Sequence, residues 1–283
     1  MSVTVQKALA DAILTLFDSS SSPEIDAEVL LGHSLGQSRA WLLTYQDETI
    51  EQSQYEEFSA LIARRKLGEP IAYILGHREF WSLDLQVNEA TLIPRPETEI
   101  LVEVALEIAE TRRGQGILSV ADLGTGSGAI ALAIATEFQD SFITATDISK
   151  EAIKIAKSNA EKFGISNVEF VHSNWFESLS DYQFDIICSN PPYIEAQDPH
   201  LQQGDLRFEP KSALASGIDG FFDIQHIISQ ANAFLRPGGW LVLEHGFTQA
   251  NRTQRLLEQH GFFNIGTRED YAHHPRVTYG QLI

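Results

Sequence analysis

From about residue 97 onward, short apolar runs alternate with segments of helical periodicity. A helix over 97–111 leads to a strand ending Val120-Ala121-Asp122-Leu123, and a helix starts at Ser127. Next come the strand Phe142-Ile143-Thr144-Ala145-Thr146 and a helix from Lys150 to Phe163. Further strands are expected at Val168–Val171, Phe184–Ser189 and Trp240–Glu244, with a helix near 221–235. A helix over 248–260 and two strands near 262–268 and 276–283 close the chain. Such alternation predicts a parallel, doubly wound α/β sheet, because parallel neighbours need crossovers and the crossovers cover both faces. Sheets of this kind bind ligands beyond the carboxyl ends of their strands.

The preceding residues carry a different period. Leu9, Ile13, Leu16 and Phe17 recur at helical spacing until Asp18 and a serine run. Pro23 opens a second helix with Ile25, Val29, Leu30 and His33 on one side, and Gly36 closes it. A third segment carries Tyr55, Phe58, Leu61 and Ile62 and ends at Arg64-Arg65-Lys66 before Gly68-Glu69-Pro70. These predict a small helical bundle over 1–72. Leu83, Leu85 and Val87 then alternate with polar residues as a half-buried strand does. With Ile71-Ala72-Tyr73-Ile74 before it, this predicts a linking β-hairpin over 73–92. Pro94 and Pro96 stiffen the loop Thr91-Leu92-Ile93-Pro94-Arg95-Pro96, and 93–283 forms the α/β domain.

Charge narrows the partners. The chain has 20 Lys+Arg against 39 Asp+Glu, a net charge of −19. So acidic a protein repels nucleic-acid phosphates and anionic membranes, and suits a basic protein partner better. The single cysteine, Cys188, forbids an internal disulfide and fits a reducing compartment. The first residues lack the basic start and apolar run of a signal peptide, and no stretch reaches the roughly 18 apolar residues of a membrane span. A soluble, cytoplasmic protein is expected.

Three loops after strands carry candidate chemistry. Gly124-Thr125-Gly126-Ser127-Gly128 lies between a strand and a helix, where glycines allow a sharp turn and close approach of a ligand. Its bland reading is a structural tight turn. Asp147, at the end of the next strand, can accept both hydroxyl protons of a ribose. Its bland reading is a helix N-cap, and both can hold. Asn190-Pro191-Pro192-Tyr193 follows the apolar strand Phe184–Ser189. Each residue before a proline is pushed into extended conformation and each proline fixes its own φ. The result is a stiff arm that aims the Asn190 side-chain carbonyl and the Pro191 backbone carbonyl at one point. Two converging acceptors can hold both hydrogens of an –NH2 group, and Tyr193 offers a flat face for stacking. Cys188 reads as a buried strand thiol, and His273-His274 lack a third ligand at suitable spacing, so no metal is expected.

Together these loops resemble those of the amino- and amide-nitrogen methyltransferases. Within that group the chain closely resembles the release factor glutamine methyltransferases, nearly over its full length. Matching stretches include Arg64-Arg65, Gly68-Glu69-Pro70, Tyr73-Ile74, Glu79-Phe80-Trp81, Leu92-Ile93-Pro94-Arg95-Pro96-Glu97-Thr98-Glu99 and Phe208-Glu209-Pro210. Members usually carry Asp where Glu97 stands, a change that keeps the charge.

The resemblance implies a Rossmann-like, seven-stranded class I methyltransferase domain. It also implies S-adenosyl-L-methionine as cofactor and S-adenosyl-L-homocysteine as product. Gly124, Thr125, Gly126, Ser127 and Gly128 would cradle the methionine part, Asp147 the ribose, and Trp175 would flank the adenine. Asn190 would touch both cofactor and substrate, with Pro191, Pro192 and Tyr193 completing the substrate arm. Asn190, Pro191 and Tyr193 would carry catalysis. The substrate would be the glutamine of the Gly-Gly-Gln motif of peptide chain release factors, recognised in part by the N-terminal bundle. No direct nucleic-acid or membrane partner is expected, and a monomer is.

Two other readings compete. A DNA or RNA adenine methyltransferase would use the same arm, but it needs a basic groove that a charge of −19 does not suggest. A non-catalytic module on the same scaffold would leave the arm unexplained.

Overall fold

The computed structural model of the chain describes residues 3–114 and 116–283. It divides into two compact units. One takes in the chain up to Gly76 together with Gln202–Phe208, the other His77–Leu201 and Glu209–Ile283.

In the first unit, β1 (Val3–Thr4) leads into α1 (Val5–Leu16), α2 (Pro23–Leu35) and α3 (Arg39–Thr44). Then follow β2 (Thr49–Ile50), α4 (Gln52–Lys66) and α5 (Ile71–Leu75). Thr4 caps α1 by accepting from the Lys7 amide, and Gly36 ends α2 in the left-handed region, which costs a glycine little. Leu16, Leu30, Leu31, Leu42 and Phe58 form the core. A short β1–β2 pair, which the periodicity did not suggest, closes one end. Arg65, in the last turn of α4, donates to Asp26 of α2 at 2.6 Å and to Asp205 at 2.9 Å. This charge cluster fastens the Gln202–Phe208 stretch to the first unit, although its place in the sequence suggested the α/β domain.

The expected linker needs correction. Ile71-Ala72-Tyr73-Ile74 is not a strand but part of α5, with Pro70 at its N-cap and Gly76 as its left-handed C-cap. A short apolar run does not by itself distinguish helix from strand. The hairpin is β3 (His77–Phe80) and β4 (Leu83–Gln86), and it belongs to the second unit. Its two-residue turn places Trp81 and Ser82 at φ 51° and 59°, the twist a tight hairpin requires. Neither is glycine, so the turn is held from outside: the Trp81 amide donates to Glu99 and its indole to Glu137.

The second unit continues with α6 (Glu99–Thr111), β5 (Leu118–Leu123), α7 (Ala129–Glu137), β6 (Ser141–Asp147), α8 (Lys150–Phe163) and β7 (Val168–His172). Next are β8 (Phe184–Ser189), α9 (Lys211–Leu214), α10 (Phe222–Ala231), β9 (Leu235–Glu244), α11 (Ala250–Gln259), β10 (Phe262–Glu269) and β11 (Pro275–Leu282). The strands form one seven-stranded sheet in the order β10-β11-β9-β8-β5-β6-β7, with β11 antiparallel to both its neighbours and the other strands running one way. Side chains alternate between its faces. Val120, Ile186 and Val242 join a core with α6, α7 and the hairpin, whereas Ala121, Ile187 and Leu241 join one with α10 and α11. The chain moves outward from β5 to β7 and then returns to place β8 on the other side of β5. That switch point is where such sheets open a ligand crevice.

At the opposite edge, Asp185 ties the sheet together. Its Oδ1 accepts from Arg112 at 2.8 Å, and its Oδ2 accepts from Arg236 at 2.7 Å and from the Ser119 amide at 2.9 Å. Asp185→Ala strands two guanidiniums and an amide, so urea unfolding should show a loss of about 2–3 kcal/mol.

Candidate active site

Strand register assembles the site. Leu123 of β5 pairs with Thr146 of β6 and with Ser189 of β8, so Gly124, Asp147 and Asn190 leave the sheet side by side. Asp147 pairs with His172 of β7, which brings up Ser173-Asn174-Trp175, and Ser189 pairs with Leu243, which puts Glu244 beside Asn190.

The glycine turn is built from inside. Thr125 donates its hydroxyl to Asp122 Oδ2 at 2.6 Å, and the Ala131 amide donates to the same oxygen at 3.1 Å. Gly128 sits at φ +88°, and a Cβ there would lie 3.1 Å from Leu132. A Cβ on Gly126, by contrast, would meet nothing within 4 Å. That turn residue therefore faces open space. Asn159, fully buried on α8, holds the Ser127 carbonyl at 2.9 Å and the Gln86 carbonyl at 3.0 Å.

Asp147 braces this turn. Its Oδ2 accepts from the Gly126 amide at 2.9 Å and its Oδ1 from the Ser149 amide at 2.8 Å. The N-cap of α8 is Ser149, not Asp147, because the Ser149 hydroxyl accepts from the Ala152 amide. Trp175, at φ 48°, packs its ring over Gly124, 3.2 Å from where a Cβ would stand, and also leans on the second core.

The Asn190 arm is anchored along its length. The Ser189 hydroxyl donates to the Leu123 carbonyl at 2.7 Å, and Gln249 donates to the Tyr193 carbonyl at 3.1 Å. Asn190 Nδ2 donates to the Thr98 hydroxyl at 3.1 Å. Thr98 reaches it from a short 3-10 turn, Pro96–Thr98, at the end of the Pro94-Arg95-Pro96 loop. That loop is tethered in turn: the buried Glu209 takes the Ile93 amide on one oxygen at 3.0 Å and Arg95 on the other.

A cleft opens at this edge. Of the residues singled out from sequence, Gly124, Gly126, Asp147, Trp175, Asn190 and Pro192 line it. Thr125, Ser127, Gly128, Pro191 and Tyr193 are not among its lining residues. Tyr193 in particular is turned to the interior, with its hydroxyl on Glu244 Oε1 at 3.2 Å. A phenol hydroxyl turned inward needs such a partner. Asp223 and Ser212 line the cleft without having been singled out. Thr98, Asn159 and Glu244 were likewise missed. For Glu244 alone a signal existed, a carboxylate closing the apolar strand Trp240–Leu243.

Burial dominates the electrostatics. It pushes Asp122 up to about 7 against its hydrogen bonds from Thr125 and Ala131, and it also pushes Glu244 up to about 7. The Tyr193 phenol is raised by burial and by Glu244, and the buried Cys188 thiol is raised well above its usual range. A carboxyl raised in the folded state stabilises that state fully below its unfolded pKa of about 4, and loses this contribution as pH rises through about 7. Urea unfolding at pH 4.5 and 7.5 should therefore show a fall in stability that Asp122→Asn reduces by about 1–3 kcal/mol. An unaltered pH slope in the variant would mean that Asp122 titrates normally.

Two family models match the chain: a PrmC N-terminal domain over residues 7–76 and a methyltransferase domain over residues 117–269. The release factor glutamine methyltransferase of Aliivibrio fischeri is 49% identical across 100% of this chain and 99% of that protein. Those of Vibrio cholerae and Escherichia coli K12 are 50% and 46% identical, each over 98% or more of both chains. Among solved structures, the hMettl16 catalytic domain in complex with MAT2A 3'UTR hairpin 6 superposes with a TM-score of 0.57 at 17% identity, over 79% of this chain and 82% of that one. A methyltransferase from Pyrococcus furiosus gives 0.51 at 19%, over 79% and 98%. These two share the α/β fold. The relatives alike along their whole length are more specific, and by them the chain belongs to the release factor glutamine methyltransferase family.

Proposed function

We propose that this chain methylates the side-chain amide nitrogen of the glutamine in the Gly-Gly-Gln motif of peptide chain release factors, using S-adenosyl-L-methionine and leaving S-adenosyl-L-homocysteine. The observation that carries this reading is the Asn190 carboxamide at the cleft wall. Its Nδ2 is committed to Thr98, so Oδ1 is left as the acceptor for an incoming N–H. No hydrogen bond among the described residues uses the Pro191 carbonyl, which provides a second acceptor.

The cleft fits the cofactor. Its described lining holds two carboxylates, Asp147 and Asp223, and neither Lys nor Arg. Such a wall suits a sulfonium and an ammonium and disfavours the phosphates of a dinucleotide. Gly124 and Gly126 would give the methionine part room, with Thr125, Ser127 and Gly128 holding the turn's shape. Asp147 would accept from the ribose hydroxyls on lone pairs that its backbone contacts leave over, and Trp175 would cover the adenine. Bound there, S-adenosyl-L-methionine supplies an electrophilic methyl group.

A glutamine amide nitrogen is a poor nucleophile because its lone pair is delocalised into the carbonyl. Asn190 Oδ1 and the Pro191 carbonyl would each accept one of its hydrogens, polarising the nitrogen and fixing its approach; as the N–C bond forms and the sulfur–methyl bond breaks, the nitrogen would lose one of these protons to water. Alignment of this kind can lower a barrier by several kcal/mol. Pro192 stiffens the arm, and Tyr193 anchors it through Glu244. The N-terminal unit would recognise the protein substrate.

Asn190→Ala should abolish transfer while leaving S-adenosylmethionine affinity within about tenfold, since the glycine turn, Asp147 and Trp175 remain. Mass spectrometry of a co-expressed release factor should find one added methyl on the Gly-Gly-Gln glutamine with the wild-type enzyme and none with the variant. Methylation of an adenine-containing nucleic acid instead of the release factor would overturn the choice of substrate.

A further inference from the structure

One side chain joins the end of the Asn190 arm to two loops that come from elsewhere in the second unit. Gln249, half-buried at the start of α11, donates from Nε2 to the Tyr193 carbonyl at 3.1 Å and to the Gly220 carbonyl at 2.9 Å. Its Oε1 accepts from the Gly246 amide at 2.9 Å. Both hydrogens of the NH2 group and the oxygen are therefore engaged by backbone. The reverse orientation would set an oxygen against two carbonyls and an NH2 against an N–H, so the partners fix which end is which. The approach is close on both sides. Gly220, at φ +67°, lies so near the arm that a Cβ there would stand 2.5 Å from the Tyr193 oxygen, and a Cβ on Gly246 would stand 3.2 Å from Gln249 Oε1.

The peptide unit between Tyr193 and Ile194 is thereby held from two sides. Its carbonyl accepts from Gln249, and its N–H, that of Ile194, donates to the Leu214 carbonyl at 3.0 Å. One such bond lets a peptide plane rock about it, whereas two opposed bonds fix it. At the other end of the arm the Ser189 hydroxyl donates to the Leu123 carbonyl at 2.7 Å. Between these pins the rings of Pro191 and Pro192 set their own φ angles. Few torsions are left that can turn the Pro191 carbonyl, and all of them are tied to the plane that Gln249 holds. Two carbonyl oxygens directed at one point repel each other unless a donor with two hydrogens stands between them. Without that donor the Tyr193 carbonyl turns to water, and the peptide units before it turn with it.

We propose that Gln249 is a positioning residue that acts through the Tyr193 carbonyl to fix the direction of the Pro191 carbonyl, and with it the approach of the substrate nitrogen. This inference rests on the amide-transfer reading of the site. Filling space does not call for a carboxamide, since methionine has the same length and no donor.

Gln249→Glu keeps the shape and sets an oxygen against the two carbonyls, and Gln249→Met keeps the length alone. Three measurements on the full-length protein test the role. In the wild type, both side-chain amide protons of Gln249, identified by nuclear Overhauser contacts with the Gly246 amide, should exchange slowly with solvent. Fast exchange of either overturns the bridge, whether or not any variant folds. Pro192-Tyr193 is the one Pro-Tyr pair in the chain, so isotope labels on proline carbonyl carbon and tyrosine nitrogen give a single NMR signal from the arm. It should be one sharp signal in the wild type and be shifted or split in both variants. The third measurement is steady-state methyl transfer to a release factor. Both variants should lose about 10- to 100-fold in kcat, the loss that a misplacement of about 1 Å produces. S-adenosylmethionine affinity should stay within about twofold, since the glycine turn, Asp147 and Trp175 are untouched. An unmoved arm signal, kcat within about threefold of wild type in both variants, or a loss of cofactor affinity as large as the loss of kcat overturns the positioning role. If the wild-type protons are protected and the variants move the arm signal, but even the wild type transfers no methyl to the release factor, the hold on the arm stands and the substrate reading fails.

Discussion

The central strand β5 lies in parallel register between β6 and β8. Leu123 is opposite Thr146 on one side and Ser189 on the other, so three chain segments emerge from the sheet at one level. Parallel hydrogen bonding sets that level, and the alternation of side chains between two cores forbids a slip of one residue. Gly124, Asp147 and Asn190 meet for this reason, with no direct attraction among them needed. The same ladder carries Glu244 to the neighbourhood of Asn190 and Trp175 to the glycine turn.

Around this frame the chain invests buried polar groups where a purely structural protein would place apolar ones. Asp122 and Glu244 are buried carboxylates without an ion-pair partner among the described residues, and burial lifts both toward neutral pH. Asp122 shapes the turn through Thr125 and Ala131, and Glu244 reaches the arm through Tyr193. The Pro94-Arg95-Pro96 loop brings Thr98 to Asn190 and is itself held by Glu209. Stiffness of the Asn-Pro-Pro-Tyr arm is thus partly intrinsic to its prolines and partly borrowed from residues far away in sequence.

The fold alone is a poor guide to chemistry here. The hMettl16 catalytic domain has the same architecture at 17% identity, and function resides in the site grafted on the fold. What ties this chain to its family is a likeness that runs through both units. The acidity of the whole chain agrees with a protein substrate but could not, as a net figure, show that the cleft itself is acidic.

Periodicity and turn residues were sufficient for the order of the strands and of the long helices after residue 97, though not for the short α9, because burial on two faces imposes local patterns along a long element. The glycine turn, Asp147 and the Asn190 arm were legible for the same reason, since each stands where a strand ends. At Ile71–Leu75 the local pattern was ambiguous, and a proline cap and a glycine stop made a helix of an apolar run that also suits a strand. Gln202–Phe208 follows a charge pair between Arg65 and Asp205 that no local pattern announces. Tyr193 looked like a stacking surface, and only packing reveals that its hydroxyl is held inside by Glu244. Thr98, Asn159 and Glu209 act over separations of 92, 32 and 116 residues in sequence. The sequence by itself determined which loops carry the chemistry. Tertiary structure decided which side chains face the cleft and which support them, because hydrogen-bond partners that distant are chosen by the packed sheet and not by their neighbours along the chain.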